Sequence, residues 1–372
     1  MKKKKTIALL IFRYFPYGGL QRDFLEITKE LLTRNLNLKV VTGRWEAEKP
    51  KELEIIELGI KGLTNHKKNI NFFEQASLFL EEINPNLIFG FNKMPGLDVY
   101  LAADTCFKFV AKQKPPLYKS LPRYKAFISY EREVFGNDSK TKSFILNNKQ
   151  EKEFIQEYQT DKSRLILIPP GLPLSWRNLQ QKNNFKKSIN LKESDKLILF
   201  AGSAFHRKGL DRAIRALSYC FDQGDESIYL AVAGKDKEQP FLNLVNKLKM
   251  KEKVIFLGPR DDVAEIMSSS DLLIHPAREE AAGNVIIEAM VSELPILTTK
   301  EVGFSSYVEE YDAGKIIPTP FTQNNLNKSL HSLISNQAIN SFKGNLVGLR
   351  NNDFFFSRFK FIGDFIEREL NA

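Results

Sequence analysis

At 372 residues the chain is too long for one ordinary hydrophobic core, so two domains are expected. Hydrophobic residues at 42% and charged residues at 27% exclude a disordered or fibrous protein, and no apolar run approaches the ~18 residues that span a bilayer. The net charge of +10 is unevenly placed: residues 1–170 carry 29 Lys and Arg against 20 Asp and Glu, whereas residues 171–372 carry 26 against 25, so a charged partner should meet the first half.

The opening MKKKKTIALLIF imitates a secretory signal, but its apolar run is short and no small-x-small cleavage pattern follows, so none is expected. Cys106 and Cys220, few and far apart, suit a reducing cytoplasm better than a disulfide framework. Residues 6–12 have the continuous apolar pattern of a buried strand. The loop RYFPYGG follows, then an amphipathic helix over about 20–34. Short apolar runs recur at 38–41, 53–58 and 87–89, with a helical pattern at about 71–83. Strands alternating with helices predict a parallel sheet covered on both faces, with ligands beyond the C-terminal strand ends. The Gly18-Gly19 loop is therefore a candidate site, though a tight turn with positive φ would equally use two glycines, and the full dinucleotide fingerprint is missing.

The stretch FNKMPGLDVYLAAD, residues 91–104, falls where a functional loop is expected. Asp98 suits local pairing. Asp104 follows LAA in an apolar setting, where a carboxylate is costly unless paired or used. Residues 107–135 then combine seven cations (Lys108, Lys112, Lys114, Lys119, Arg123, Lys125 and Arg132) with seven aromatics and only Glu131 and Glu133 as acids. Cations among aromatics such as Phe109, Tyr118, Tyr124 and Phe127 suit a membrane interface or single-stranded nucleic acid. Pro115, Pro116 and Pro122 predict broken pieces, with a helix from about Arg123. A strand–helix pair at 142–158 and an apolar run at 165–168 precede PPGLP and the polar tract 180–187, a plausible domain boundary.

The alternation then restarts with a strand at 196–201, the glycine loop GSAFHRKGLDRA and a helix at about 210–221. Arg207 and Lys208 just before a helix start suit a diphosphate. His66, His206, His275 and His331 lack metal-ligand spacing and no Asp-x-Asp triplet occurs, so a metal-held diphosphate is not expected. Residues 275–289, HPAREEAAGNVIIEA, predict a strand end, a loop and a helix from about Gly283. Glu280 falls in that loop and Glu288 in the helix, so they can meet two parts of one ligand, while the amides of Ala282, Gly283, Asn284 and Val285 favour an anion. Acidic residues near helix starts also occur for dipole and capping reasons alone.

With these segments in view, the chain resembles the retaining glycosyltransferases of family four, and within them the lipopolysaccharide core glucosyltransferases. YFPYGGLQRDF, FNKMPGLDVYLAAD, IPPGL, FHRKGLD and EAAGNVIIEA carry the likeness over nearly the whole chain, and Glu280 and Glu288 match an E-x7-E pattern. Asn284 stands where that pattern leads one to expect an aliphatic residue.

The resemblance implies an α/β protein of the GT-B fold, two Rossmann-like domains facing across a cleft: residues 1–170 for the acceptor and 171–352 for the nucleotide sugar, with 353–372 crossing back as a helix. It also implies transfer of glucose from UDP-glucose to a heptose of the heptosylated lipid A-core acceptor, in α-1,3 linkage, with retention and no metal or other cofactor. Glu280 would then hold sugar hydroxyls and Glu288 the ribose. Lys208 with Arg207 would neutralise the leaving diphosphate, together with the helix start at Ala282, Gly283 and Asn284. Gly18, Gly19 and Asp23 would line the first-domain side of the cleft, and Asp104 would stand beside the reacting centre. Lys112, Lys114, Lys119, Arg123 and Lys125 are expected to meet an anionic surface, the cytoplasmic face of the inner membrane, rather than nucleic acid. Two other readings use parts of the same pattern. A nicotinamide-dependent oxidoreductase needs a stronger glycine fingerprint, and a non-catalytic basic binder leaves Glu280, Glu288 and Lys208 without a shared purpose.

Overall fold

A computed structural model of the chain describes residues 4–16, 18–178 and 185–371, so Tyr17 of the first glycine loop and the start of the polar tract lie outside the described residues. The chain forms two compact units, Met1–Gly171 with Ser357–Ala372, and Leu172–Phe356.

The first unit runs β1 (Thr6–Ile11), α1 (Gly19–Leu32), β2 (Asn37–Thr42), β3 (Glu54–Glu57), α2 (Asn65–Ile83), β4 (Leu87–Gly90), β5 (Val99–Leu101), α3 (Phe107–Ala111), α4 (Pro122–Phe135), β6 (Lys142–Ile145), α5 (Asn148–Tyr158) and β7 (Leu165–Leu167). Its strands pair in parallel in the order β3-β2-β1-β4-β5-β6-β7. In β1, Ile7 to Ile11 are fully buried, as a strand covered by helices on both faces requires. Helix α2 starts at Asn65, six residues before its apolar pattern begins, because the Thr64 hydroxyl caps it by accepting from the Lys67 amide. Strand β5 lies inside the stretch expected to be a loop. Three residues between β4 and β6 are too few to show a period, and pairing with both neighbours supplies what local pattern does not.

The second unit runs α6 (Phe185–Ser188), β8 (Lys196–Ala201), α7 (Phe205–Lys208), α8 (Leu210–Asp222), β9 (Ile228–Ala233), α9 (Gln239–Lys247), β10 (Val254–Gly258), α10 (Val263–Ser269), β11 (Leu272–His275), α11 (Asn284–Val291), β12 (Ile296–Thr299), α12 (Ser305–Glu310), β13 (Gly314–Ile317), α13 (Gln323–Leu333) and α14 (Asn336–Leu346). Its parallel sheet has the order β10-β9-β8-β11-β12-β13. Leu210, Ala213, Ile214 and Leu217 of α8 recur at helical spacing, and all lie in the core that this sheet shares with α8, α9 and α13.

The last helix, α15 (Arg358–Asn371), belongs to the first unit. Arg34 at the end of α1 reaches Asp364 at 2.7 Å and Glu367 at 3.0 Å, and Phe365 packs edge-on against Phe144 of β6. The returning segment is shorter than the 353–372 expected. Asp353–Phe356 is a 3-10 turn within the second unit, and the return begins at Ser357.

Candidate active site

In each sheet the strand order reverses once, between β1 and β4 in the first unit and between β8 and β11 in the second. Loops leaving the C-terminal ends of these strands diverge and open a crevice, the usual ligand position in such sheets. The sequence-predicted residues fall mostly on these loops, in one group per unit.

In the second unit, the loop after β8 brings its cations toward the loop after β11. Gly202 has φ +130°, and a Cβ there would lie 2.9 Å from Lys208 Nζ, so only glycine admits the lysine across the turn. Gly209, at φ +81°, lets α8 begin against the Pro276 carbonyl. Lys208 Nζ then lies 3.1 Å, and Arg207 3.2 Å, from the same Glu280 carboxylate oxygen. Arg207 also donates to the Glu279 carbonyl at 2.9 Å. Arg278 forks onto Asp211 with two 2.8 Å bonds and donates to the His206 carbonyl at 2.6 Å, tying the two loops together.

Electrostatics fix the charge states. Burial pushes the Glu280 carboxyl up, but Lys208, with Arg207, outweighs it and holds the group below the usual carboxylate range. His275, wholly buried at the end of β11, is pushed down to about 3 by burial and by the positive charge of Lys208, against the opposing pull of Glu280. It is a neutral imidazole with neither ring nitrogen bonded among the described residues, its Nε2 3.9 Å from Glu280.

The loop carrying Glu280 is pinned from behind. The Glu280 and Ala282 carbonyls accept from the Gly303 and Phe304 amides. Gly283 caps α11 at φ +84°, and a Cβ there would meet Val302 at 2.5 Å. The helix begins at half-buried Asn284, and Glu288 is its fifth residue, 8% exposed. Its first-turn amides, Asn284 and Val285 among them, have no acceptor within the helix and give that end a partial positive charge.

The first-unit group needs several corrections. Gly18 is the extended N-cap of α1 at φ −99°, so no positive-φ turn is involved; a Cβ there would collide with Gln21 and the Phe15 ring, whereas Gly19 has open space. Asp23, expected to line a cleft, is 4% exposed and receives the wholly buried Arg358 at 2.8 Å. It anchors α15 to α1, because a buried guanidinium needs a carboxylate in contact. Asp104 is not buried but exposed, on the bend after β5. The cost of burying a charge is therefore no argument for it; its place at a C-terminal strand end is. Asp98 accepts from the Ile88 amide at 2.7 Å, the local role expected.

The basic segment is broken as its prolines predict, with a 3-10 turn at Pro116–Ser120 between α3 and α4. Lys112 is not free for a surface, since it bonds Glu157 at 2.5 Å. Lys114, Lys119, Arg123 and Lys125 are exposed, Arg123 stacking on Phe127. The expected aromatic anchors are half-buried against other rings: Tyr118, Tyr124 and Phe127 pack on Phe107, and Phe109 packs on the core. The exposed apolar groups are Leu117 and Leu121. Sequence reasoning also passed over Lys93, although it stands inside FNKMPGLDVY.

Among the described residues one set of metal-type ligands comes together, Cys220, Asp225 and His331, with ligand atoms within 4.8 Å of one another. Sequence separation hid it. His331 and Asp225 bond each other at 2.8 Å over a thiol that burial and the Asp225 charge push up to about 12, which is account enough for the group. No described helix is long and apolar enough to cross a membrane.

Residues 181–344 match the family "Glycosyl transferases group 1". The lipopolysaccharide glucosyltransferase WaaG of Escherichia coli is 38% identical over 88% of this chain and 89% of its own length. The chain belongs to the group 1 glycosyltransferases. A crystal structure of a WaaG, involved in lipopolysaccharide biosynthesis, superposes on this glycosyltransferase with a TM-score of 0.92 and 36% identity, covering 97% of this chain and 99% of that one. Sucrose-phosphate synthase of Thermosynechococcus elongatus shares the fold alone, with a TM-score of 0.79 and 16% identity over 98% and 99% of the two chains. The enzyme therefore has the GT-B architecture of two Rossmann-like domains.

Proposed function

We propose that this glycosyltransferase moves glucose from UDP-glucose to a heptose of the lipopolysaccharide inner core, with retention at the anomeric carbon and without a metal. The observation that carries the reading is the pairing of Lys208 and Arg207 on Glu280 beside the start of α11. Two cations and first-turn amides supply the charge that a leaving diphosphate needs, and a carboxylate held ionised among them can accept from sugar hydroxyls. Glu288, four residues into α11, holds the ribose in this reading. Asp104 orients the attacking hydroxyl or takes its proton. The 38% identity to a named lipopolysaccharide glucosyltransferase supports glucose as the sugar and the lipopolysaccharide core as acceptor. Purified enzyme should transfer label from UDP-glucose to heptose-terminated core, undiminished by EDTA. Transfer from UDP-galactose alone, or none to this acceptor, would overturn the assignment.

A lipid-linked acceptor must be met at a membrane. Leu117, 82% exposed, and Leu121, 45% exposed, stand beside Lys114, Lys119, Arg123 and Lys125, a pattern suited to docking on the anionic cytoplasmic face of the inner membrane.

A further inference from the structure

Glu131, on the buried face of α4, has 0% of its side chain exposed and yet carries a charge. One carboxylate oxygen accepts from the Phe107 amide at 2.8 Å and from Lys93 Nζ at 2.5 Å. The other accepts from the Lys108 amide at 2.8 Å and the Tyr158 hydroxyl at 2.6 Å. Capping α3 requires only the two amides. The lysine is a further charge, brought from the loop after β4 into a site where only 13% of its side chain is exposed. From there it donates at 3.2 Å to the carbonyl of Thr105, the residue after Asp104.

We propose that Glu131 is a positioning residue for the acceptor side of the reaction: through Lys93 it holds the turn that carries Asp104, and through the first turn of α3 it holds the basic surface segment to that same carboxylate. The inference rests on the reading of Asp104 given above. It makes the loops after β4 and β5 and the start of α3 one rigid body, so a heptose oriented by Asp104 keeps a fixed relation to the surface that meets the lipid. Both charges persist at neutral pH. Burial would lower the Lys93 pKa, but Glu131 and Asp104, with the Cys106 thiol, outweigh it and raise it. Burial would likewise raise the Glu131 carboxyl, but Lys93, Tyr158 and the Phe107 amide hold it low. The Phe154 ring lies 5.9 Å from Lys93 Nζ.

Three variants of the full chain test this with UDP-glucose and heptose-terminated core. Glu131→Gln should leave UDP affinity at its wild-type value and slow transfer by about 10²-fold, the cost of a misplaced reacting group. It should also bring the alkaline limb of the rate down toward neutrality, because Lys93 would keep its burial and lose its main counter-charge. The double variant Glu131→Gln with Lys93→Gln removes the unpaired charge. It should melt closer to wild type and remain slow, whereas a merely structural role would return the rate with the melting temperature. If Glu131→Gln does not fold, the double variant carries the test alone. A wild-type rate in the folded double variant, or in Glu131→Gln with an unmoved pH profile, overturns the proposal. Asp104→Asn separates the two readings: if it is slow while the Glu131 variants are normal, only the positioning role falls; if it is fully active, the Asp104 reading falls and takes this proposal with it.

Discussion

Replacing Lys208 by Ala removes the better-placed of the two cations on Glu280. Its side chain is 15% exposed against 45% for Arg207, so its charge acts in the drier part of the site and is screened less. Loss of one charge contact that strengthens as a diphosphate departs costs roughly 2–4 kcal/mol of transition-state stabilisation, or about 30- to 900-fold in kcat/KM. Arg207→Ala should cost less, since Lys208 remains and more water screens the removed charge. Glu280 would stay in place on Arg207, and Gly202 would face an empty turn, so the fold should survive. The assay is steady-state transfer from UDP-glucose by protein whose circular dichroism matches wild type, with UDP affinity measured alongside. Kinetics decide between ground-state and transition-state roles: a fall in kcat with little change in UDP affinity is expected. Near-normal turnover by folded Lys208→Ala would refute the reasoning, as would a larger loss in Arg207→Ala than in Lys208→Ala.

Glu280→Gln should weaken discrimination between UDP-glucose and UDP-galactose, while Glu288→Gln should mainly weaken UDP itself; equal effects in a UDP titration would contradict that division. His275 gives a stability prediction with a definite sign. Its folded pKa of about 3 lies below the ordinary 6.5, so the unfolded chain takes up a proton that the folded chain refuses, and stability is lost as pH falls through 6.5. The loss approaches about 1.4 kcal/mol per pH unit, or about 2 kcal/mol between pH 6.5 and 5. Urea unfolding of wild type and His275→Gln at both pH values should show the variant's acid loss smaller by about that amount, and parallel losses would remove His275 as the cause. Changing Lys114, Lys119, Arg123 and Lys125 to Gln should reduce sedimentation with anionic vesicles at low salt and leave UDP affinity alone; wild-type protein that ignores such vesicles would end the membrane reading.

What the sequence made legible were features carried by short-range pattern. Residues 6–12 and 196–201 show continuous apolar runs, and the glycines of GSAFHRKGLD and EAAGN mark sharp turns, so both switch-point loops could be placed before any contact was known. What it hid depends on partners far along the chain. The family resemblance alone assigns Asp23 to the cleft; only the 335-residue reach of Arg358 shows it as an internal counter-ion. Asp104 looked costly because LAA precedes it, yet β5 ends there and the chain turns outward. The aromatics of 107–135 looked like anchors because composition cannot tell an aromatic packed on another from one facing outward. Lys93 and Glu131, 38 positions apart, have no local signature.

The two units apply one topology with opposite electrostatic outcomes. In each, a lysine that follows a switch-point strand meets a carboxylate: Lys208 after β8 with Glu280 after β11, and Lys93 after β4 with Glu131 of α4, beside the turn that follows β5. In the second unit the carboxylate has two cations, one of them almost half exposed, so positive charge is left over for an incoming anion. In the first unit a single ammonium lies enclosed between Glu131 and the Asp104 turn, so its charge is already committed and cannot serve a phosphate. The surplus cation, rather than the fold, is what leaves the second unit able to receive an anion. The satisfied lysine leaves Asp104, the exposed carboxylate beside it, as the charge that the first unit presents at this turn.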